Sequence, residues 1–289
     1  AKILVDAAQL APHRPIDMRA DDDAGHLDFV VISAHKMYAP YGTGALIGPT
    51  SVFAQGTPDL VGGGTVSIVT EDDVRWAGPP DRDEAGSPNV VGAVALAQTV
   101  LSLQEIGMDA LAQHEAELTA HALRRLPDVP GIELFGLTDP DRAAERVGVI
   151  PFNLHGADHY KVAAVLSHEG AIGVRNGCFC AHPYILRLLK VSSEEALRHQ
   201  EEIIAGTKVG LPGLVRISFG CYNTVDEIDY AVEMLTRIAT GKIEGEYEQD
   251  PGSGEYWPCD YKPDYAQFFS YQPAVQYPDR KYGTPSCGV

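Results

Sequence analysis

Residues 29–47 read FVVISAHKMYAPYGTGALI, and this stretch decides the fold. It opens on an apolar, largely β-branched run, which predicts a strand buried on both faces. Lys36 follows at the strand's exit in a turn rich in Gly and Pro, and residues 45–47 predict a further strand. An earlier strand is predicted at residues 2–5, ending at Asp6. Functional groups that follow buried parallel strands indicate an open α/β sheet with a ligand site beyond the strand ends.

Length and charge narrow the class of protein. The 289 residues are 45% hydrophobic, which is globular composition and enough for one large or two ordinary domains. Forty acidic against 22 basic residues give a net charge of −18, which argues against binding to nucleic acid or to an anionic membrane. The sequence has no apolar run long enough for a transmembrane helix, and its start, AKILVDAAQ, has no secretory pattern. A small-molecule site is the expectation.

The cysteines indicate a reducing environment. An odd number at irregular spacing in a chain of this length is not typical of a disulfide framework. We therefore expect free thiols and a cytoplasmic location. The five positions are Cys178, Cys180, Cys221, Cys259 and Cys287.

Periodicity divides the chain into three parts. Residues 1–106 are predicted to form an α/β domain, ending in a long helix that Ser87 caps with Pro at its first position. Residues 107–240 are predicted to form a smaller α+β domain, and residues 241–289 an aromatic-rich extended tail that packs on the body or on a partner subunit. Predicted elements of the smaller domain include strands at 172–175 and 214–219 and helices at 180–189 and 225–239.

The tetrapeptide Ser33-Ala34-His35-Lys36 is the sharpest chemical signal. A lysine that leaves a buried strand into a crevice loses solvation, which lowers its pKa and makes it a competent amine nucleophile. The alternative is an ordinary surface lysine after a strand. Asp6 likewise has two interpretations, an acid that keeps an aromatic nitrogen of a cofactor protonated or a helix N-cap.

Three segments together, Asp-Ala-Ala-Gln at 6–9, Ser-Ala-His-Lys at 33–36 and Glu-Ala-Gly-Ser-Pro-Asn at 84–89, resemble the class V aminotransferases, and within them the cysteine desulfurases. The resemblance implies the fold of a type I PLP-dependent transferase, with part of the large α/β domain followed by a small α+β domain. It also implies the cofactor pyridoxal 5′-phosphate (PLP) and a homodimer, because the hydroxyl in the third segment reaches the phosphate of the neighbouring subunit. The implied roles are covalent attachment for Lys36, pyridinium contact for Asp6, phenolic-oxygen contact for Gln9, and phosphate contact for Ser33, His35 and Ser87, the last standing where the family has threonine.

The smaller domain adds residues for substrate chemistry. The segment at 175–183, RNGCFCAHP, resembles the R-x-G-x-x-C-A-x-P segment of the desulfurases, which implies that Cys180 is the persulfide-forming nucleophile. Arg216 resembles the arginine that binds the substrate carboxylate, with Arg175 assisting. An arginine in an apolar strand needs an anionic partner, either this ligand or a structural acid. No second cysteine pair or spaced histidine pair completes a zinc set, so no metal is expected.

The implied reaction converts L-cysteine to L-alanine and leaves a persulfide that a sulfur-acceptor protein takes up. Two alternatives stay open: another class V reaction (selenocysteine lyase, molybdenum cofactor sulfurase-like, epimerase or aminotransferase) and a non-catalytic half-domain that serves assembly. Family members carry roughly another half of the large domain before the strand of Asp6, so we expect residues 1–289 alone to bind PLP weakly. Four histidines are expected to be structural or at the surface: His13, His155, His159 and His182.

Overall fold

The computed structural model describes residues 1–261 and divides the chain into two compact units, Ala1–Glu115 and a second one that begins at Ala116. In the first unit the strands are β1 (Leu4–Asp6), β2 (Phe29–Ser33), β3 (Gly44–Ile47), β4 (Val66–Val69) and β5 (Val74–Trp76). Its helices are α1 (Thr50–Phe53), α2 (Val90–Ile106) and α3 (Met108–Arg125), the last of which continues into the second unit.

The sheet of the first unit has the strand order β1-β2-β3. As predicted, β1 and β2 are parallel, and Asp6 is level with Val31. The expectation of a wholly parallel, fully buried sheet is wrong for the rest: β3 runs antiparallel to β2, and in β2 only Val30 is fully buried. The connection at 34–43 is shorter than the dozen or so residues that a parallel crossover needs, so the chain reverses there.

The second unit is built on an antiparallel sheet of order β6-β7-β9-β8. Its strands are β6 (Ile132–Leu134), β7 (Val149–Leu154), β8 (Arg175–Gly177) and β9 (Leu214–Ser218), and a separate hairpin is formed by β10 (Tyr247–Gln249) and β11 (Tyr256–Pro258). Its helices are α4 (His159–Gly170), α5 (His182–Leu188), α6 (Ser193–Ile204) and α7 (Val225–Ala239).

The core of the second unit follows the alternation of β7. Ile150, Phe152 and Leu154 are buried, and the residues between them are half-buried. These side chains belong to one hydrophobic cluster with residues of α4 and α7 such as Leu166 and Leu235. The sheet face therefore packs under the two helices and fixes the strands that carry Arg175 and Arg216.

Replacing Phe152 with alanine should lower the free energy of unfolding by about 4 kcal/mol, because a fully buried aromatic side chain leaves a cavity. Leu197 on α6, which is 61% exposed, supplies the control, and its replacement by alanine should change stability by less than about 0.5 kcal/mol. Urea unfolding measures both variants. Equal losses would contradict the assignment of this core.

The tail begins as an ordered element. Residues 241–261 contain the hairpin of β10 and β11, and β11 packs on α4 of the second unit. The remainder of the predicted tail lies outside the described residues. Within residues 1–261, no single helix is both long and apolar enough to cross a bilayer. Only α2 and the helical stretch Met108–Asp128, bent by 76° between them, reach that length and apolarity jointly.

Candidate active site

The carboxyl ends of β1 and β2 carry the predicted cofactor residues of the first unit. Asp6 is the last residue of β1, is exposed, and accepts a hydrogen bond from the backbone N–H of Ala8 at 3.0 Å. Gln9 lies half-buried in the turn that follows. Since β1 and β2 are parallel neighbours, a carboxylate and an amide stand beside the exit of β2.

At the exit of β2 the chain enters a 3-10 turn, Ala34–Met37. Ala34 and Met37 are buried and anchor this turn, whereas His35 and Lys36 are exposed. The Oγ of Ser33 lies 3.0 Å from Nδ1 of His35. The edge therefore presents a hydroxyl, an imidazole and an amine together, with Lys36 accessible rather than desolvated.

Asn89, rather than Ser87, caps α2. Its side chain accepts from the N–H of Gly92 at 2.9 Å and donates to the carbonyl of Tyr41 at 2.6 Å. The predicted serine cap is wrong because α2 begins at Val90, so that Asn89 occupies the capping position. Ser87 is exposed in the preceding loop. Asn89 thus ties the Ser87 loop to the turn that follows Lys36.

In the second unit two arginines lie side by side on neighbouring strands. Arg175 of β8 and Arg216 of β9 are paired residues. Among residues 1–261 the buried Nε of Arg216 has no hydrogen-bond partner. Burial, followed by the charge of Arg175, lowers the pKa of Arg216, while Cys180 raises it. A carboxylate that binds in a bidentate way would supply the acceptor that this buried N–H needs. Its negative charge would also offset the two neighbouring guanidinium groups.

Cys180 is the accessible thiol of the Cys178-Phe179-Cys180 segment. Cys180 is exposed, whereas Cys178 is half-buried and donates its thiol to the carbonyl of Pro212 at 3.5 Å. Burial raises the pKa of Cys178, which keeps it a protonated, poor nucleophile. The helix predicted from residue 180 begins only at His182, because Phe179 and Cys180 adopt left-handed backbone angles (φ 49° and 62°).

Phe179 also contacts Arg216. Its ring centroid lies 5.0 Å from Cζ of Arg216, close enough for a cation–π interaction. Phe179 and Cys180 are consecutive, so this contact holds the thiol beside the guanidinium. The strand predicted at 172–175 is displaced to β8, since Ala171 turns the chain in a left-handed conformation and Ile172 and Val174 pack against the core from a loop.

Two of the four histidines that were expected to be structural or at the surface are buried. His13 is 7% exposed, and its Nδ1 contacts the buried carboxylate of Glu115 of α3, to which Arg14 also donates at 2.7 Å. His159 is equally buried and contacts the carbonyl of Leu211 at 2.9 Å. Neither lies in a recognisable motif, and burial of an isolated histidine has no local signal. His155 and His182 are exposed, as predicted.

The sequence profile described as aminotransferase class-V matches residues 1–231. A protein of Mycobacterium leprae (strain TN) named "Probable cysteine desulfurase 1" is 36% identical over 241 residues, covering 83% of this chain and 34% of the relative. A "Probable cysteine desulfurase" of Staphylococcus aureus (strain Mu50 / ATCC 700699) is 35% identical over 235 residues, covering 81% of this chain and 50% of the relative. The chain thus spans a third to a half of these curated relatives.

Solved structures show the same similarity. The apo structure of a cysteine desulfurase from Thermococcus onnurineus NA1 matches with a TM-score of 0.68 and 29% identity, over 83% of this chain and 53% of that one. The cysteine desulfurase CsdA from Escherichia coli matches with a TM-score of 0.66 and 28% identity, over 84% and 52%. The fold is therefore that of the PLP-dependent type I enzymes, with part of the large domain present. This chain belongs to the class V aminotransferase family.

Proposed function

We propose that this chain is part of a PLP-dependent cysteine desulfurase, which removes sulfur from L-cysteine to give L-alanine and an enzyme-bound persulfide. The observation that carries the proposal is the pairing of an exposed thiol, Cys180, with Arg216, whose buried Nε has no acceptor in the part of the chain that the structure describes. The first supplies a sulfur nucleophile and the second a carboxylate site, which is the pair of groups that an amino-acid desulfurase needs.

The residues of the first unit fit the cofactor. Asp6 offers a carboxylate that accepts from the backbone N–H of Ala8 and has further lone pairs that can accept from a protonated ring nitrogen. Ser33 and His35 form a hydroxyl–imidazole pair that suits a phosphate, while Gln9 offers an amide. Lys36 presents an accessible amine for covalent attachment. When bound, PLP acts as an electron sink that stabilises negative charge at the substrate α-carbon.

The proposal assigns the steps of the reaction to three groups of this chain. Arg216, assisted by Arg175, holds the substrate carboxylate. The Nζ of Lys36 takes the α-proton of the substrate and returns a proton to the alanine side chain. The Cys180 thiolate attacks the substrate sulfur, so that an S–S bond forms as the C–S bond breaks. In total, L-cysteine and the Cys180 thiol become L-alanine and the Cys180 persulfide, with no external oxidant.

A homodimer and a sulfur-acceptor protein are further parts of the proposal. The exposed hydroxyl of Ser87 supports the first, since the family resemblance directs it to a neighbouring subunit's phosphate. The exposure of Cys180 supports the second, because a persulfide that is handed on must be reachable. We also propose a cytoplasmic location, where cysteine thiols stay reduced.

Product analysis tests the function. Incubation with L-cysteine, PLP and a reductant should yield alanine and sulfide in equal amounts, which chromatography and a sulfide assay quantify. A keto acid in place of alanine would indicate transamination instead. Absence of both products would contradict the proposal.

Arg216→Ala should raise the KM for L-cysteine by about a hundredfold, because the carboxylate loses a charge-assisted, two-pronged partner. Arg216→Lys should recover only part of this loss, since an ammonium cannot donate in a fork. Arg187 on α5 is exposed, and Arg187→Ala serves as the control with unchanged KM. Equal KM values for all three variants would remove Arg216 from the substrate site.

A further inference from the structure

The C-terminal hairpin, defined as residues 244–261, lies beyond the family match at 1–231 and is anchored on α4. The carboxylate of Glu169 accepts from the backbone N–H of Glu244 and Gly245, each at 3.0 Å, and from the hydroxyl of Tyr247 at 3.2 Å. Burial raises the pKa of Glu169, but these hydrogen bonds outweigh it and leave the pKa below its usual value. The start of the hairpin is therefore fixed by a charged acceptor.

Aromatic side chains hold the other end of the hairpin on the same helix. The ring of His168 lies 5.9 Å from that of Trp257 and 5.2 Å from that of Tyr261. Trp257 and Tyr261 stack on each other at 5.2 Å. Together with Glu169 these contacts give the hairpin two attachment points on α4, so it is part of the packed unit.

The turn of the hairpin rests on the connecting segment, defined as residues 205–213 between α6 and β9. The carbonyl of Pro251 accepts from the N–H of Lys208 at 2.8 Å. Gly254 has φ +79°, and a Cβ there would lie 2.6 Å from the Lys208 carbonyl oxygen and 3.1 Å from the ring of Tyr160. The contact therefore depends on glycine at this position.

The connecting segment in turn holds the start of the Cys loop, defined as residues 177–181. The carbonyl of Pro212 accepts the Cys178 thiol at 3.5 Å. A Cβ on Gly213 would lie 2.7 Å from Cα of Gly177, so these two backbones touch.

His159 contacts both the connecting segment and β8. Burial lowers its pKa, which favours the neutral ring. Its Nε2–H donates to the carbonyl of Leu211 at 2.9 Å, and its Nδ1 accepts from the amide of Asn176 at 3.4 Å. The connecting segment and the end of β8 are thus joined by a buried side chain that sequence analysis left without a role.

We propose that the C-terminal hairpin is a positioning element for Cys180, acting through the connecting segment on the Cys loop. Gly254 packs against Lys208. The backbone of residues 208–212 leads from Lys208 to Pro212, whose carbonyl accepts the thiol of Cys178, two residues before the exposed thiol. The hairpin thereby fixes the loop whose thiol must meet the substrate sulfur. This inference rests on the proposed role of Cys180, but its first test needs neither substrate nor cofactor.

The test compares Gly254→Ala with Gly252→Ala in the full chain. The alanine at 254 should push the hairpin turn off Lys208, release the connecting segment and free the Cys178 thiol. Alkylation of Cys178 by iodoacetamide, followed by peptide mass spectrometry, should then accelerate about fivefold, the factor that corresponds to one net hydrogen bond. Alkylation of Cys221, exposed elsewhere in the same unit, should not change. A Cβ at Gly252 meets only Asp250 at 3.7 Å, so that variant should behave as wild type.

Glu169→Ala provides a second route to the same release, since it removes the anchor of the hairpin without touching Gly254. It should accelerate Cys178 alkylation to a similar degree. With L-cysteine and PLP, both variants should lower kcat for persulfide formation about fivefold and leave KM within about twofold, because Arg216 is undisturbed. Unchanged Cys178 alkylation, or equal acceleration at Cys178 and Cys221, would overturn the inference. A wild-type protein without desulfurase activity would overturn only the proposed function.

Discussion

A Cys180→Ser variant should lose persulfide formation from L-cysteine by about a thousandfold or more, while its affinity for PLP stays that of the wild type. A serine hydroxyl is not ionised at neutral pH and cannot form a bond to sulfur in place of the thiolate. The residues proposed to bind the cofactor belong to the first unit, and the substitution leaves their side chains in place. Persulfide is measured by differential alkylation and peptide mass spectrometry.

Cys178→Ser is the matched control for this experiment. Cys178 is half-buried with its thiol bonded to the Pro212 carbonyl, and a hydroxyl can make the same hydrogen bond. Its persulfide yield should therefore stay within a few-fold of wild type. A persulfide found on Cys178, or full activity in Cys180→Ser, would show that Cys180 is not the nucleophile.

A Lys36→Ala variant should lose alanine formation by about a thousandfold, because both the covalent attachment point and the group that moves the α-proton are removed. Lys36→Arg should not recover activity, since a guanidinium stays protonated and cannot act as the nucleophile. Amino-acid analysis of the reaction mixture measures the loss. Lys242, which is exposed on the second unit, gives the control Lys242→Ala with full activity. Wild-type rates in Lys36→Arg would refute the assignment of Lys36.

The elements that sequence analysis predicted best have strong local signals. The final helix has its predicted bounds, Val225–Ala239, because Thr224 and Glu227 form a capping box ahead of a clear apolar stripe. The strand Phe29–Ser33 also has its predicted bounds, since a β-branched run ends at polar residues. Local chemistry and tertiary packing agree at both places.

The remaining differences arise where tertiary contacts override local pattern. The reversal of β3 depends on the length of the preceding connection, and the shift of the predicted 172–175 strand depends on the left-handed turn at Ala171. The hairpin of β10 and β11 has little sequence periodicity and is fixed by a distant acid, Glu169. Such partners, far apart in the chain, leave no signal in either segment alone.

In the candidate site, too, local motifs were predictable from the sequence and tertiary contacts were not. Short motifs identified Lys36, Asp6 and Cys180, and the structure places each at a strand end or in an exposed loop. The burial of the Arg216 Nε, which has no partner within the described residues, could not be deduced from its motif, because it is a property of packing. The two partners of His159, the backbone carbonyl of Leu211 and the side-chain amide of Asn176, could not be deduced from its sequence for the same reason, because they come together only in the folded chain.

The central claim, that Lys36 is the attachment point of PLP, is tested most directly by reductive trapping. The full chain is incubated with excess PLP, treated with borohydride, digested and mapped by mass spectrometry. The account predicts a pyridoxyl adduct on the peptide that contains Lys36, at higher occupancy than on any other lysine. Even labelling of exposed lysines such as Lys242, with no preference for Lys36, would contradict it.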